Sequence, residues 1–395
     1  MPSHTLLSML PLNGMLVVSI EQAVSVPLAT RQLADLGARV IKVERPDGGD
    51  FARGYDTSVR GMSSHFVWLN RSKESITLDL KTEPGRHALE RLVSKADVFV
   101  QNLAPGAAAR LGFTARQLRE RYPRLVAADL SGYGDTGPYR DKRAYDLLVQ
   151  SEGGLVSVTG TPEDPVKTGI PTADIAAGMY VFAGVLAALL RRERGGEGAA
   201  LDVTMFDSTV EWMGHQIQHA LHTGQQPRRM GLSHTVIAPY NRYPTRDGEQ
   251  VLIGVQNDRE WRRLAADLIG DPTLGTDPRY ATNVARTTHR DEVDELVGRA
   301  SSGLPAKDLI ELLDKAGVAS ARLNEVPEVV EHPQLEARDR WREMDSPVGR
   351  LPTLLPPITF EEDPPRLDPV PALGEHTEAV LTELGYTPDE IAGLR

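Results

Sequence analysis

Leu16-Val17-Val18-Ser19-Ile20 and Arg39-Val40-Ile41-Lys42-Val43-Glu44, with Pro27 to Leu36 between them, decide the fold. The first is a short apolar run of strand type. The middle piece has helical spacing and ends at Gly37, and the third alternates as a half-buried strand does. Pro46-Asp47-Gly48-Gly49 breaks that strand. The pattern then repeats. Residues 75–80 read as a strand, and Thr82-Glu83-Pro84 caps and opens a helix running through Leu92. Residues 97–100 read as a strand, 114–121 as a capped helix and 125–130 as another strand. Strand–helix alternation at this spacing predicts an α/β layer with a mostly parallel sheet. Ligands of such sheets sit beyond the carboxyl ends of the strands. The segments there, 44–49, 101–106 and 131–137, are rich in Gly, Pro and Asn, with Arg45 and Arg110 nearby. Loops of this kind bring amides and guanidinium groups to phosphates.

With 395 residues the chain exceeds one simple core, so more than one domain is expected. Acidic residues outnumber basic ones, 55 to 44, for a net charge of −11, which argues against a general nucleic-acid binder. There is no cysteine, which excludes disulfides, thiolate nucleophiles and Cys-ligated metals. No basic start followed by an apolar stretch and a cleavage site opens the sequence, so a soluble, cytoplasmic protein is expected.

A second stretch carries the chemistry: Gly169-Ile170-Pro171-Thr172-Ala173-Asp174-Ile175-Ala176-Ala177-Gly178-Met179-Tyr180. From Ile175 to Leu190 there is no charged side chain, and Arg191-Arg192-Glu193-Arg194-Gly195-Gly196 closes the run. Pro171 with Thr172 as N-cap starts a helix, and the basic cluster before glycine stops it. The uncharged run is shorter than the ~20 residues a membrane span needs, so it reads as a buried core helix. Asp174 then lies in the first turn, where free amides and the macrodipole favour its ionised form. Such an acid either stabilises the helix end or serves as an anionic nucleophile at the edge of a pocket.

Further on, 201–205 reads as a strand, 207–222 as a helix and 224–229 as a hinge-like break. Strands at 250–255 and 318–323 and helices at 258–269, 291–299 and 305–316 form a smaller α+β unit. After His332-Pro333 the chain is dense in proline and reads as a strap returning over the surface. The expected division is a large α/β domain over 1–223, a small domain over 224–330 and a returning segment over 331–395. Two motifs invite other readings. Gly132-Tyr133-Gly134-Asp135-Thr136-Gly137 matches G-x-G-x-x-G, but a charged turn follows where a dinucleotide site needs a helix. His215, His219 and His222 have helical spacing, yet a polar helix face explains them as well as a metal does. No metal, nicotinamide or flavin is expected.

Together these pieces resemble the class III (CaiB/BaiF) CoA-transferase family, which also contains α-methylacyl-CoA racemases. The resemblance rests on Pro11-Leu12-Asn13-Gly14, Leu33-Ala34-Asp35-Leu36-Gly37-Ala38 running into Val40–Pro46, and Asn70-Arg71-Ser72-Lys73 with Thr77-Leu78-Asp79-Leu80-Lys81. Ala96-Asp97-Val98, Asn102-Leu103-Ala104-Pro105-Gly106, Gly132-Tyr133-Gly134, Thr136-Gly137-Pro138 and Leu373-Gly374-Glu375-His376-Thr377 follow in order. It implies a Rossmann-like large domain plus a smaller α+β domain, in an interlocked homodimer of threaded rings. It implies acyl-CoA and a small carboxylic acid as partners, with neither nucleic acid nor membrane. Its nucleophile falls on Asp174, which attacks the thioester and passes through anhydride and aspartyl-CoA intermediates shielded from water. Its CoA-contacting positions fall on Val24, Ser25, Arg45, Leu78, Lys81, Asn102, Leu103, Ala104, Arg110, Arg143, Ala144, Tyr145 and Asp146. Arg45, Lys81, Arg110 and Arg143 are then the phosphate partners. The family's racemases carry His before Asp where this chain has Tyr145-Asp146, and a phenol is a poor base at neutral pH. That favours CoA transfer over the alternative of a racemase or epimerase. No glycine-rich loop of the formyl-CoA transferase kind stands at Ile237-Ala238-Pro239-Tyr240. Glu21–Val24, Arg53–Asp56 and Ala144–Leu148 look most like the branch acting on small dicarboxylic acids of the mesaconate, itaconate and citramalate type. Arg53, His65 and Arg71 are candidates for the acceptor's second carboxylate.

Overall fold

Leu16–Ile20 (β1) begins a run of alternating elements: α1 (Ser25–Asp35), β2 (Arg39–Glu44), α2 (Ser64–Leu69), β3 (Lys73–Thr77), α3 (Glu83–Val93) and β4 (Val98–Gln101). Then come α4 (Ala107–Leu111), α5 (Ala115–Arg121), β5 (Val126–Ser131), α6 (Asp146–Glu152), α7 (Leu155–Val158), α8 (Thr172–Gly195), β6 (Ala199–Thr204), α9 (Met205–Trp212) and α10 (Gly214–Thr223). This computed structural model describes residues 10–394. Strands β1 to β6 form one sheet in the order β3-β2-β1-β4-β5-β6, parallel throughout. That is the doubly wound order, with its reversal between β1 and β4.

Successive strand residues point to opposite faces, so each strand feeds two cores. Val17, Val40, Val98 and Val126 pack with Val26, Ala29 and Leu33 of α1 and Ala177, Val181 and Val185 of α8. Val18, Ile41, Phe99 and Ala127 pack on the other side with Leu89 and Leu92 of α3, Leu118 of α5, and Val380 and Leu381. Thr82 caps α3 through the Gly85 amide, and Thr114 makes a capping box with Gln117.

The contacts of the chain divide into two compact units: one takes in residues up to 155 with 168–215 and 338–395, the other 156–167 with 216–337. Strands β7 (Tyr240–Pro244), β8 (Gln250–Gly254) and β9 (Ala319–Arg322) belong to the second unit. In the first, the C-terminal stretch forms an antiparallel pair, β10 (Trp341–Met344) and β11 (Leu351–Leu354). It then covers the free edge of β3: His376 N donates to Ser75 O (2.9 Å) and Thr77 N to Thr377 Oγ1 (3.0 Å). An open parallel edge is thereby paired rather than exposed. In the second unit β7, β8 and β9 form an antiparallel sheet, packed through Trp261, Val293, Val297, Leu309 and Leu313.

Two expectations are corrected, and α8 spans Thr172–Gly195, between its start and stop signals. The single helix over 207–222 is two, interrupted at Met213 just before Gly214, where a residue without a side chain weakens the helix. The strand expected from Ser75 to Leu80 is shifted to Lys73–Thr77. Helix α8 is longer than the uncharged run, 24 residues, and by length and composition it could cross a membrane. Half of its apolar window is nevertheless buried within this unit, while Met179, Tyr180 and Leu190 are exposed.

Candidate active site

The centre of the site is the start of α8. Pro171 is its N-cap and Thr172 its first helical residue, so the Thr172 cap is not formed. The Thr172 hydroxyl instead meets Thr168 Oγ1 and Ile170 O. The cap comes from another helix: Ala173 N donates to Asp146 Oδ1 (2.9 Å), and Gln150 Nε2 donates to the other oxygen (2.6 Å). Asp174 follows in the first turn, partly buried, and the Ser25 hydroxyl donates to its Oδ1.

Ser25 is the first residue of α1, and α8 approaches it closely because Gly178 lies one turn beyond Asp174. A Cβ there would stand 2.4 Å from Ser25 O. Gly178→Ala is therefore expected to push the two helices apart, with a loss of about 1–3 kcal/mol in denaturant unfolding and a lower turnover. Unchanged stability and rate would contradict the close approach.

The loop before Ser25 is fixed from two sides. Asn102 exchanges two hydrogen bonds with the Gln22 backbone, both 2.9 Å. Asp50 Oδ1 accepts from Ala23 N (2.9 Å), and Ala23 is held at φ +62°, a left-handed conformation that costs a non-glycine residue energy. Asp50 also caps the short 3₁₀ turn Phe51–Gly54, which delivers Tyr55.

Beneath this loop lies a buried set of two acids and two lysines. Lys42 Nζ donates to Asp50 (2.6 Å), Glu21 (3.3 Å) and Asn70 Oδ1 (3.1 Å). Lys73 Nζ donates to Glu21 (2.6 Å), Pro27 O (2.9 Å) and Asn70 Oδ1 (3.2 Å). Thr30 completes Glu21 at 2.6 Å. Burial alone would raise the Glu21 carboxyl, but the two lysines overturn it and hold it down at about 2. The lysines diverge. Burial lowers Lys73 to about 8, whereas Lys42, facing both acids, is raised.

Asp174 behaves in the opposite way to Glu21. Burial pushes its carboxyl up to about 6; the Ser25 hydrogen bond lowers it and the Asp146 charge raises it further. This corrects the expectation that the helix terminus favours the ionised form. The Ala173 amide at this helix start is already taken by Asp146, whose charge repels a second carboxylate. Since the Ser25 bond favours the charged form, Ser25→Ala is expected to move the acid limb of the pH–rate profile, near pH 6 in the wild type, to higher pH. A limb that stays in place would contradict that role.

Of the remaining positions, Val24 is buried beside Ser25, with Leu28, Leu69 and Ile175 around it. Arg45, Lys81, Arg110 and Arg143 are exposed, and Arg45 lies over the Phe51 ring at 4.4 Å while donating to Gly49 O (2.8 Å). The Leu78 side chain is in the core, so only its backbone can meet a ligand. Leu103 and Ala104 line a cavity of about 420 Å³ beyond β4, β5 and β6, whose lining does not include Asp174. Gly132 serves close packing: its Cβ would meet the Ala144 Cβ at 2.2 Å, and no helix begins there. Tyr145, 67% exposed, is the N-cap of α6. Tyr55 lay within the Arg53–Asp56 pattern but had no role of its own there. Burial pushes its hydroxyl up, and Asp50, Asp174 and Tyr145 add to the shift. Arg71 is withdrawn as an acceptor contact: it is buried in a two-pronged pair with Asp35 (2.8 and 2.9 Å).

Residues 12–377 match CoA-transferase family III. The chain is 36% identical over 384 residues to a succinate–glutarate CoA-transferase of Agrobacterium fabrum, covering 95% of this chain and 96% of the relative. It is 38% identical over 331 residues to an acetyl-CoA:oxalate CoA-transferase of Acetobacter aceti, covering 83% and 85%. A crystal structure of a CaiB/BaiF family protein from Brucella suis superposes with a TM-score of 0.81 at 35% identity, covering 95% of this chain and all of that one. The chain belongs to CoA-transferase family III and is an enzyme that transfers CoA.

Proposed function

We propose that the enzyme moves CoA between small dicarboxylic acids through covalent intermediates on Asp174. The observation that carries this reading is the Asp174 carboxylate itself, half sheltered and held by Ser25, with its charged form disfavoured by burial. A carboxylate poorly stabilised at rest is the more reactive nucleophile, and shelter protects an anhydride from water. One Asp174 oxygen attacks the thioester carbonyl, and the C–S bond breaks to release CoA thiolate. The thiolate then attacks the aspartyl carbonyl of the anhydride, frees the donor acid and leaves aspartyl-CoA. The acceptor carboxylate attacks that thioester and the thiolate leaves again. Its return to the acceptor's acyl carbon forms the product and restores Asp174, with no net proton change. Each relative is named for at least one dicarboxylic acid, succinate and glutarate in one and oxalate beside acetyl-CoA in the other, which supports that substrate class. The enzyme is proposed to act in the cytoplasm as an interlocked homodimer, which light scattering checks as twice the chain mass.

With succinyl-CoA and glutarate supplied together, glutaryl-CoA and succinate are expected in equal amounts by mass spectrometry. Hydrolysis alone, or deuterium uptake at an α-carbon without any acceptor, would overturn the proposal.

A further inference from the structure

Three side chains near the site could meet an acceptor's second carboxylate, and two of them are occupied. Arg71 spends its guanidinium on Asp35, Thr353 and Leu354 O. Arg53 grips Glu44 with two hydrogen bonds (2.7 and 2.8 Å), reaches Pro371 O and lies 3.8 Å over the Phe66 ring. His65 is different. Its Nδ1 is closed to solvent, makes no hydrogen bond among the described residues and faces the Asp56 carboxylate at 3.8 Å, so with the side chain 41% exposed it is the Nε2 edge that a ligand can meet. Asp56 is itself already satisfied by Ser58, Ser63 and Ser64.

Position completes the case. His65 is one helical turn before Leu69 on α2, so the two share a face. Leu69 packs against Val24, Leu28 and Ile175, the residue after Asp174. The imidazole also meets the Tyr55 ring edge to face, with centroids 5.6 Å apart. Tyr55 is half exposed and ends the turn capped by Asp50, the same carboxylate that fixes the loop before Ser25. The imidazole, with Asp56 behind its Nδ1, and a phenolic O–H thus stand together on the Asp174 side of α2.

We propose that His65 and the Tyr55 hydroxyl bind the distal carboxylate of a dicarboxylic acid while its other carboxylate reacts at Asp174, an assignment that rests on the acyl-transfer reading above. The pair would set preference for a dicarboxylic acid over a monocarboxylic acid of equal length. It would not perform the chemistry.

The test is a competition. Succinyl-CoA is given with equal glutarate and valerate, and the ratio of glutaryl-CoA to valeryl-CoA is measured. Both products partition from one aspartyl-CoA enzyme, so the ratio is independent of the donor step. The wild type is expected to favour glutarate, and His65→Leu and Tyr55→Phe each to lower the ratio about tenfold to a hundredfold. His65→Gln, which keeps an N–H donor, is expected to retain most of the preference. An unchanged ratio in His65→Leu and Tyr55→Phe would overturn the assignment, as would equal loss of both products in folded variants. A wild type that makes valeryl-CoA as readily as glutaryl-CoA would overturn the dicarboxylate reading itself.

Discussion

Asp174→Ala abolishes CoA transfer, with a fall in kcat expected on the order of 10⁴ or more, as for removal of other covalent nucleophiles. Activity alone does not separate a nucleophile from a structural acid, so the sign of the stability change is the sharper reading. A first-turn Asp kept for the helix dipole would cost about 0.3–1 kcal/mol when neutralised. Asp174 should do the reverse. Its carboxyl stands at about 6 in the fold against 3.8 ordinarily, so the folded state holds the proton more tightly than the unfolded one. The charged form is then a burden on the fold, complete above about pH 6 and relieved as pH falls towards 4. Asp174→Asn is therefore expected to be inactive yet more stable than the wild type at pH 7, by up to about 3 kcal/mol, with the gain fading as pH falls from about 6 to 4. Denaturant melts of both proteins across pH 4–8 check this. A variant less stable at pH 7 would return Asp174 to a helix-end role.

The second large effect lies beneath the site. Lys42 is fully buried and meets Glu21 and Asp50, while Lys73 meets Glu21. Two negative and two positive charges cancel, so removing one lysine leaves an uncompensated carboxylate in the interior. Lys42→Met is expected to cost about 3–5 kcal/mol, far beyond what an exposed ion pair contributes. Activity should fall in the protein that still folds, since Asp50 then loses the partner that fixes it against Ala23 and the 3₁₀ turn. Glu21 adds a pH signature. Its carboxyl is held at about 2 against 4.5 ordinarily, so its stabilisation is complete above about pH 4.5 and is lost between there and pH 2. Acid unfolding of Lys42→Met should accordingly begin at higher pH than in the wild type. A melt within 1 kcal/mol of the wild type would contradict the view that this network supports the site.

Strands β1 and β2 were legible because their patterns are local, an apolar run at Leu16–Ile20 and an alternating one at Arg39–Glu44, and those bounds are the ones observed. Strand β2 is nevertheless buried on both faces rather than half-buried, since Lys42 and Glu44 find charged partners inside. Strand β3 was shifted because Lys73 and Glu74 look like surface residues in a window of neighbours. In the fold the Lys73 ammonium is buried on Glu21, 52 positions away. Lys42, a charge between Ile41 and Val43 in the middle of β2, was the visible trace of that network. Asp174 in a first turn was legible from Pro171 and the uncharged run behind it. Its protonation was not, because it depends on Ser25, on Asp146 and on burial by elements distant in sequence. The same reason hid the true cap of α8, which comes from 27 residues upstream. The family resemblance placed Ser25 and Asp146 near a ligand, and the fold adds that Ser25 holds Asp174 and Asp146 caps its helix.

The most direct measurement is the mass of the protein itself during turnover. Enzyme mixed with succinyl-CoA, quenched in acid within the first turnovers and digested, should carry CoA or succinyl mass on the peptide containing Asp174. Hydroxylamine should convert that adduct to a hydroxamate at the same residue. Turnover with that peptide unmodified, or an adduct on any other residue, would contradict the account.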